Sequence, residues 1–265
     1  MYYNTDLLDK YDANTFLDDD VVTIEEILSL DGKLDEGQYA INNALIEWVT
    51  LANVVNAGGD ISDEAGNPTI NTDAMRSVVE QLKSVADAGL MSPYGEDGYA
   101  MFQSGDVLFS TDGTWTSTAH GSVEGLNFGV TNIYSVTPDK FTNRSSAHLF
   151  SLLNNEDRTD EKEQGVADFL SWMRENSLDW AGAGQIVASK EVFESEEYQQ
   201  YPQSFFTSSD VEKEASYIFD YKYYSYVESA LGTVLSDMIY GNITIDEGLD
   251  QAQKTVEDLI AENAS

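Results

Sequence analysis

Residues 100–115 read AMFQSGDVLFSTDGTW, and this stretch decides the class of fold. The run Val107–Ser110 is short, apolar and preceded by a glycine-containing turn, which is the pattern of a buried β-strand. A second turn follows at Asp112 and Gly113, and Trp115 comes directly after it. Ligands of open α/β sheets bind beyond the carboxyl ends of the strands. The sequence therefore predicts a binding residue in this turn.

On both sides of this stretch the chain alternates helical and strand patterns. Amphipathic helices, each with apolar residues at helical spacing, are predicted to begin near residues 73, 161, 223 and 245. Capping boxes at Thr23 and Thr244 predict two helix starts. Further strands are predicted at residues 127–130 and 147–153. Mixed elements of these lengths favour an α/β architecture.

The charge of the chain is strongly unbalanced. Of its 265 residues, 48 are Asp or Glu and 13 are Lys or Arg, which gives a formal net charge of −35 at pH 7. Like-charge repulsion argues against nucleic acid and anionic membrane surfaces as direct partners. Hydrophobic residues still make up 42% of the chain, so a sizeable core can form.

Motifs that carry chemistry are scarce. The chain has no cysteine, which excludes disulfides, thiolate catalysis and Cys-based metal sites. His120 and His148 lie far apart without a ligand-spaced partner, and no nucleophile elbow, dinucleotide fingerprint or Walker loop occurs. The sequence predicts no catalytic residue, no metal site and no cofactor. The many carboxylates leave open a chance Asp/Glu pair of the glycosidase kind.

The tryptophans are the more informative residues. Trp115 follows the strand-end turn, Trp180 lies beside a loop of small residues, and Trp48 is next to Glu47 and downstream of Asn43. A flat indole can stack on the apolar face of a pyranose while neighbouring polar groups bind the hydroxyls. A packed core position is the alternative for each tryptophan.

Several segments, in order along the chain, resemble extracellular solute-binding proteins of the carbohydrate class, which serve ABC importers. YYNTDLL at residues 2–8 is similar to the family's YYNKDLF, and TIEEI at residues 23–27 is similar to its TWEEL helix start. Residues 100–115 resemble the family's most recognisable motif. GQIVAS at residues 184–189 resembles a GxxPA turn with valine for proline, and GNITIDEGL at residues 241–249 resembles SGKxTPEEAL. The chain is thereby identified as similar to maltose-binding-protein-like family 1.

This resemblance implies a periplasmic-binding-protein-like type II fold, in which two α/β lobes joined by a hinge clamp the ligand. It implies a protein that is not an enzyme, which binds a carbohydrate, expected to be an oligosaccharide, and delivers it to the permease subunits of an ABC importer. It also implies ligand-binding roles, carried over position by position, for Trp115, Trp48, Asn43, Trp180, His148, Asp112, Glu47, Tyr224 and Tyr226.

One departure from the family concerns the start of the chain. The family begins with a signal, often a lipidated cysteine, and then most of its first lobe, whereas the opening MYYNTD here has neither the basic nor the apolar region of a signal peptide. We therefore expect the first lobe to be largely absent. Residues 1–130 and 196–265 would form the C-terminal lobe, and residues 131–195 would be a remnant of the N-terminal lobe that exposes Phe169 and Trp172.

The family implies an extracellular location, either anchored to a Gram-positive surface or in a periplasm, without membrane insertion of this segment. Two other functions stay open at this level. One is a glycoside hydrolase fragment that uses an Asp/Glu pair. The other is an interaction module whose acidic face recruits a basic partner in a salt-sensitive way.

Overall fold

A central sheet of four short strands organises the molecule. The computed structural model describes residues 1–208 and 215–263. The strands are β1 (Tyr2–Asn4), β2 (Tyr39–Ile41), β3 (Val107–Ser110) and β4 (Phe128–Val130). Their order is β2–β3–β1–β4, with β2 parallel to β3 and β1 antiparallel to both β3 and β4. β3 is buried along its whole length and confirms the predicted strand.

Helices occur along the whole described part of the chain. They are α1 (Thr5–Lys10), α2 (Ile24–Leu28), α3 (Ile46–Asn56), α4 (Asp73–Asp87), α5 (Gly98–Gln103), α6 (Ser117–Gly121), α7 (Asp160–Glu175), α8 (Ser177–Gly182), α9 (Lys190–Phe193), α10 (Phe205–Ser208), α11 (Tyr224–Ile239) and α12 (Ile245–Asn263). A second, two-stranded parallel sheet pairs β5 (Asn143–Arg144) with β6 (Ser216–Tyr217). The predicted helix starts are confirmed, and both capping boxes form.

The main core lies between the sheet and four helices from both ends of the chain. α3, α4, α11 and α12 contribute buried side chains to one cluster. The fully buried members from these helices include Val49, Leu51, Val54, Val78, Leu82, Leu231, Leu235, Met238, Leu249 and Val256. Burial of one such side chain contributes about 1.5–3 kcal/mol, so the C-terminal helices and the first hundred residues stabilise one another.

Residues 131–135 belong to the same packed body. The amide of Thr131 donates to the carbonyl of Met1 at 2.8 Å, and the amide of Ser135 donates to the carbonyl of Val22 at 2.8 Å. The side chain of Asn53 also donates to the carbonyl of Tyr134 at 3.0 Å. The lobe boundaries expected from the sequence stay predictions.

The region after β5 is packed very differently. The predicted strand at 147–153 is wrong, because residues 145–155 have no regular secondary structure. An extended segment becomes a strand only when another strand bonds to it, and none in the described part of the chain does so. α7 forms as predicted but has no buried residue. A small separate core of Ala181, Val187 and Tyr198 follows it.

Candidate functional site

Two tryptophans from distant parts of the sequence meet at one surface. Trp48 lies in the first turn of α3, and Trp115 lies in the short helical turn that follows β3. Their ring centroids are 6.0 Å apart and their planes cross at 80°, an edge-to-face contact. The side chain of Trp115 is 46% exposed. Its indole folds back over Gly113, where any side-chain carbon would overlap the ring.

An arginine and a glutamate join Trp48 to α11. The indole Nε1 of Trp48 donates to Glu228 Oε1 at 2.5 Å, and Arg144 Nη2 donates to Glu228 Oε2 at 3.3 Å. Arg144 Nε donates to the hydroxyl of Tyr224 at 2.8 Å. The guanidinium carbon of Arg144 lies 4.0 Å from the centre of the Trp48 ring, a cation–π contact. Trp48 Nε1 and the Nε and Nη2 atoms of Arg144 therefore each have an acceptor.

Two further carboxyl groups lie close to the tryptophans in the sequence, since Glu47 precedes Trp48 and Asp112 lies three residues before Trp115. Burial raises the pKa of Glu47, the nearby charge of Glu228 raises it further, and Arg144 opposes the shift. Burial also raises the pKa of Asp112, against the effect of the Gly113 amide, which donates to Asp112 Oδ1 at 2.7 Å. These half-buried carboxylates can accept hydrogen bonds from hydroxyl groups.

Trp180 and His148 form a second aromatic pair. Their ring centroids are 6.4 Å apart and their planes cross at 73°, and the side chain of Trp180 is 47% exposed. The loop after Trp180 packs on the turn that holds Trp115. Gly184 has a φ of +86° and lies so close to the carbonyl of Thr114 that a side chain would overlap it. Thr118 Oγ1 donates to the carbonyl of Gly182 at 3.0 Å.

Asn43 and Tyr226 lie apart from these groups in their described contacts. The amide of Asn43 donates to Ser92 Oγ at 3.1 Å, and the Ser92 hydroxyl donates back to Asn43 Oδ1 at 3.3 Å. Tyr226 stacks on Tyr223 with centroids 5.7 Å apart. Of the nine predicted ligand-binding residues, the structure therefore brings Trp48, Glu47 and Tyr224 close to Arg144 and Glu228, and it brings Trp115 into contact with Trp48. The ligand-binding role of all nine stays a prediction.

A family model for the bacterial extracellular solute-binding proteins matches residues 1–207. The chain belongs to this family. A comparison with curated proteins finds no match.

Solved structures show the fold of this solute-binding protein. The maltose/maltodextrin-binding domain MalE from Bdellovibrio bacteriovorus, bound to maltotriose, has a TM-score of 0.76 at 16% identity, over 98% of this chain and 70% of that one. An ABC substrate-binding protein from Listeria monocytogenes in complex with cycloalternan has a TM-score of 0.74 at 15% identity, over 98% and 69%. The cyclic alpha-maltosyl-1,6-maltose binding protein from Arthrobacter globiformis has 0.71 at 18%, over 99% and 70%. The mixed α/β fold is therefore that of the maltose-binding, periplasmic-binding-protein-like structures.

Arg144 and Glu228 are the site residues that sequence reasoning missed in this solute-binding protein. Arg144 ends a turn-rich stretch and has no local pattern around it. Glu228 adjoins the apolar stripe of α11, four residues after Tyr224, so the two side chains share one face of the helix. That spacing was the available signal, but it names no partner on α3.

His120 is a core residue of the solute-binding protein. It is fully buried, and its ring lies 4.7 Å from Tyr2, 4.9 Å from Phe102, 5.0 Å from Tyr99 and 5.8 Å from Phe128, centroid to centroid. Neither ring nitrogen has a hydrogen-bond partner within residues 1–208 and 215–263. Burial lowers its pKa from 6.5 to about 4, so the imidazole is neutral at pH 7.

Two further kinds of feature are absent from the described residues. No group of three or more His, Cys, Asp or Glu side chains there is arranged to hold a metal ion. Within the same ranges, no helix is both long and apolar enough to cross a bilayer.

Proposed function

We propose that this chain binds a carbohydrate, specifically an oligosaccharide, and serves in its delivery to the permease subunits of an ABC importer. The observation that carries the proposal is the edge-to-face pair of Trp48 and Trp115, with the exposed indole of Trp115 and the half-buried Glu47 beside Trp48. An exposed indole supplies the apolar surface on which a sugar ring stacks, and half-buried carboxylates supply acceptors for its hydroxyls.

The related structures support the same class of ligand. Two of them are bound to maltotriose and to cycloalternan, and the third is a cyclic alpha-maltosyl-1,6-maltose binding protein. All three ligands are carbohydrates. We extend this class to the present chain as a proposal, with the protein working outside the cell, on a surface or in a periplasm.

We further propose that residues 131–195 are a remnant of the N-terminal lobe, and that the rest of that lobe would cover their exposed apolar side chains. Leu149 and Leu153 are 84% and 80% exposed, and Phe150 packs edge-to-face on Phe169 with centroids 5.9 Å apart. Trp172 on α7 is 57% exposed. Exposed apolar side chains of this kind are typical of an interface with another folded unit.

Binding can be tested by thermal unfolding with and without maltotriose and a panel of other oligosaccharides. At one hundred times its dissociation constant a ligand stabilises the folded state by about 2.7 kcal/mol, which raises the Tm by about 5–10 °C for a domain of this size. We expect Trp115→Ala to abolish the rise and Trp172→Ala, a matched exposed tryptophan, to retain it. A rise that Trp115→Ala leaves unchanged would contradict the site.

An assay for released reducing sugar in the same samples distinguishes binding from hydrolysis. Glu47 and Glu228 are neighbouring carboxyls, and the raised pKa of Glu47 is also a property of a glycosidase acid. We expect no release of reducing sugar from the bound oligosaccharide. Release that is lost in Glu47→Gln would show that the protein is a hydrolase.

A further inference from the structure

Arg144 and Glu228 connect three separate elements of the structure through one tryptophan. Arg144 lies on β5, Glu228 on α11 and Trp48 on α3, and the three side chains contact one another in a closed group. The side chain of Arg144 is only 10% exposed and that of Glu228 26%. At such low exposure the ion pair is held in place by its geometry and by its further hydrogen bonds.

The contacts of Trp48 leave it less free than Trp115. The Arg144 guanidinium covers one face of the Trp48 indole at 4.0 Å, and the only hydrogen-bond donor of that indole is taken by Glu228. The edge-to-face contact with Trp115 covers a further part of the Trp48 ring. A sugar ring approaching from the Arg144 side would first have to displace a guanidinium that is also bonded to Tyr224 and Glu228.

We propose that Arg144 and Glu228 are positioning residues, which hold Trp48 as a support so that Trp115 presents its indole to the ligand. This rests on the proposed function only for the identity of the ligand. The two tryptophans then have different roles. Trp115 contacts the sugar, and Trp48 fixes the orientation of the Trp115 indole ring. Neither residue of the ion pair needs to touch the sugar for this effect.

The proposal is tested first without any ligand. Two indoles held in fixed contact produce an excitonic couplet in circular dichroism, and Trp48→Phe identifies the part of the signal that comes from this pair. We expect Arg144→Ala and Glu228→Ala to remove the same couplet. Arg76→Ala is the matched control, because Arg76 forms an ion pair with Asp246 away from the tryptophans, and it should leave the couplet intact.

Affinity for maltotriose supplies the second measurement. We expect Arg144→Ala to weaken binding about tenfold, which is within the range of cation–π contacts, while Arg76→Ala binds as the unmodified chain does. A couplet that survives in Arg144→Ala overturns the proposal. If affinity falls while the couplet survives, Arg144 contacts the sugar directly and is not a positioning residue.

A second variant and the ligand-free spectra cover the cases in which Arg144→Ala does not fold or the chain binds no oligosaccharide. Should Arg144→Ala fail to fold, Glu228→Met keeps a side chain of similar length and removes both acceptor oxygens, so an unchanged couplet in that variant overturns the proposal. If the unmodified chain shows the couplet but binds no oligosaccharide, the proposed function is contradicted, while the ligand-free spectra still decide the roles of Arg144 and Glu228.

Discussion

The apolar side chains of α11 are buried, whereas those of α7 and of the segment before it are exposed. Leu235 and Val234 on α11 are 0% and 2% exposed, while Phe169 on α7 is 49% exposed and Leu153 is 80% exposed. Both helices have apolar residues at helical spacing. Periodicity therefore specifies which face of a helix is apolar, but a packing partner decides whether that face is buried.

Leucine truncation gives the largest expected difference between the two regions. Leu235→Ala removes a fully buried side chain and should lower the free energy of unfolding by about 2–5 kcal/mol, from lost burial and the cavity left behind. Leu153→Ala, the same chemical change at an exposed position, should change it by less than about 0.5 kcal/mol. Urea unfolding of both variants measures this. Equal losses would mean that residues 147–153 are packed in solution.

The two histidines also differ in burial, and this difference bears on how the stability of the protein depends on pH. His120 is fully buried with a pKa lowered to about 4, whereas His148 is exposed. The unfolded chain binds a proton at His120 below about pH 6.5, and the folded chain does so only below about pH 4. Stability is therefore lost as the pH falls through this window, by about 3 kcal/mol in total from this one residue.

The measurement is the free energy of unfolding between pH 7 and pH 4. We expect His120→Phe to flatten the part of the slope that lies between pH 6.5 and pH 4, because phenylalanine fits the aromatic surroundings and binds no proton. His148→Gln is the matched control and should keep the slope. An unchanged slope in His120→Phe would mean that the buried imidazole does not resist protonation.

Local sequence signals predicted the parts of the fold whose causes are local. Val107–Ser110 is a strand because it is a short apolar run between turns, and α12 begins at the capping box of Thr244. The segment at 147–153 has the same strand character, but no described strand pairs with it. Pairing depends on residues elsewhere in the chain or outside it, and so it is not predictable from the segment itself.

The candidate site shows the same limit. Family resemblance predicted both Trp48 and Trp115, and the structure brings their rings together. It did not predict Arg144 or Glu228, which are separated by 84 positions and are paired only by the fold. The resemblance also joined Asn43 to the site, although its described hydrogen bonds are to Ser92. Chemistry that depends on a pair of distant charges has no signature within a short window.

Gly184 allows a test of the junction between the two regions. Its φ of +86° and its close approach to the carbonyl of Thr114 both disfavour a side chain. We expect Gly184→Ala to cost about 1–2 kcal/mol from the left-handed backbone alone and to separate the Trp180 loop from the Trp115 turn. Tryptophan fluorescence should then shift, and Gly165→Ala on α7, where nothing lies within 4 Å, should leave it unchanged.

The smallest expected effect comes from two matched helix caps. Thr244 Oγ1 accepts from the amide of Glu247 at 3.2 Å at the start of α12, and Thr159 Oγ1 accepts from the amide of Lys162 at 3.3 Å at the start of α7. Loss of such a cap destabilises a helix by about 1 kcal/mol. α12 packs its apolar face into the main core, so loss of its cap should lower the stability of the whole fold. α7 has no buried residue, so loss of its cap should destabilise that helix alone.

Thr244→Ala should therefore lower the global free energy of unfolding by about 1 kcal/mol, because α12 cannot unfold without exposing Leu249 and Val256. Thr159→Ala should leave the global value unchanged and instead speed amide exchange along α7 alone, since that helix can open locally. Urea unfolding and hydrogen exchange of the two variants measure both quantities. A global loss from Thr159→Ala would show that α7 is coupled to the core, and the division between a packed body and an exposed region would then have to be given up.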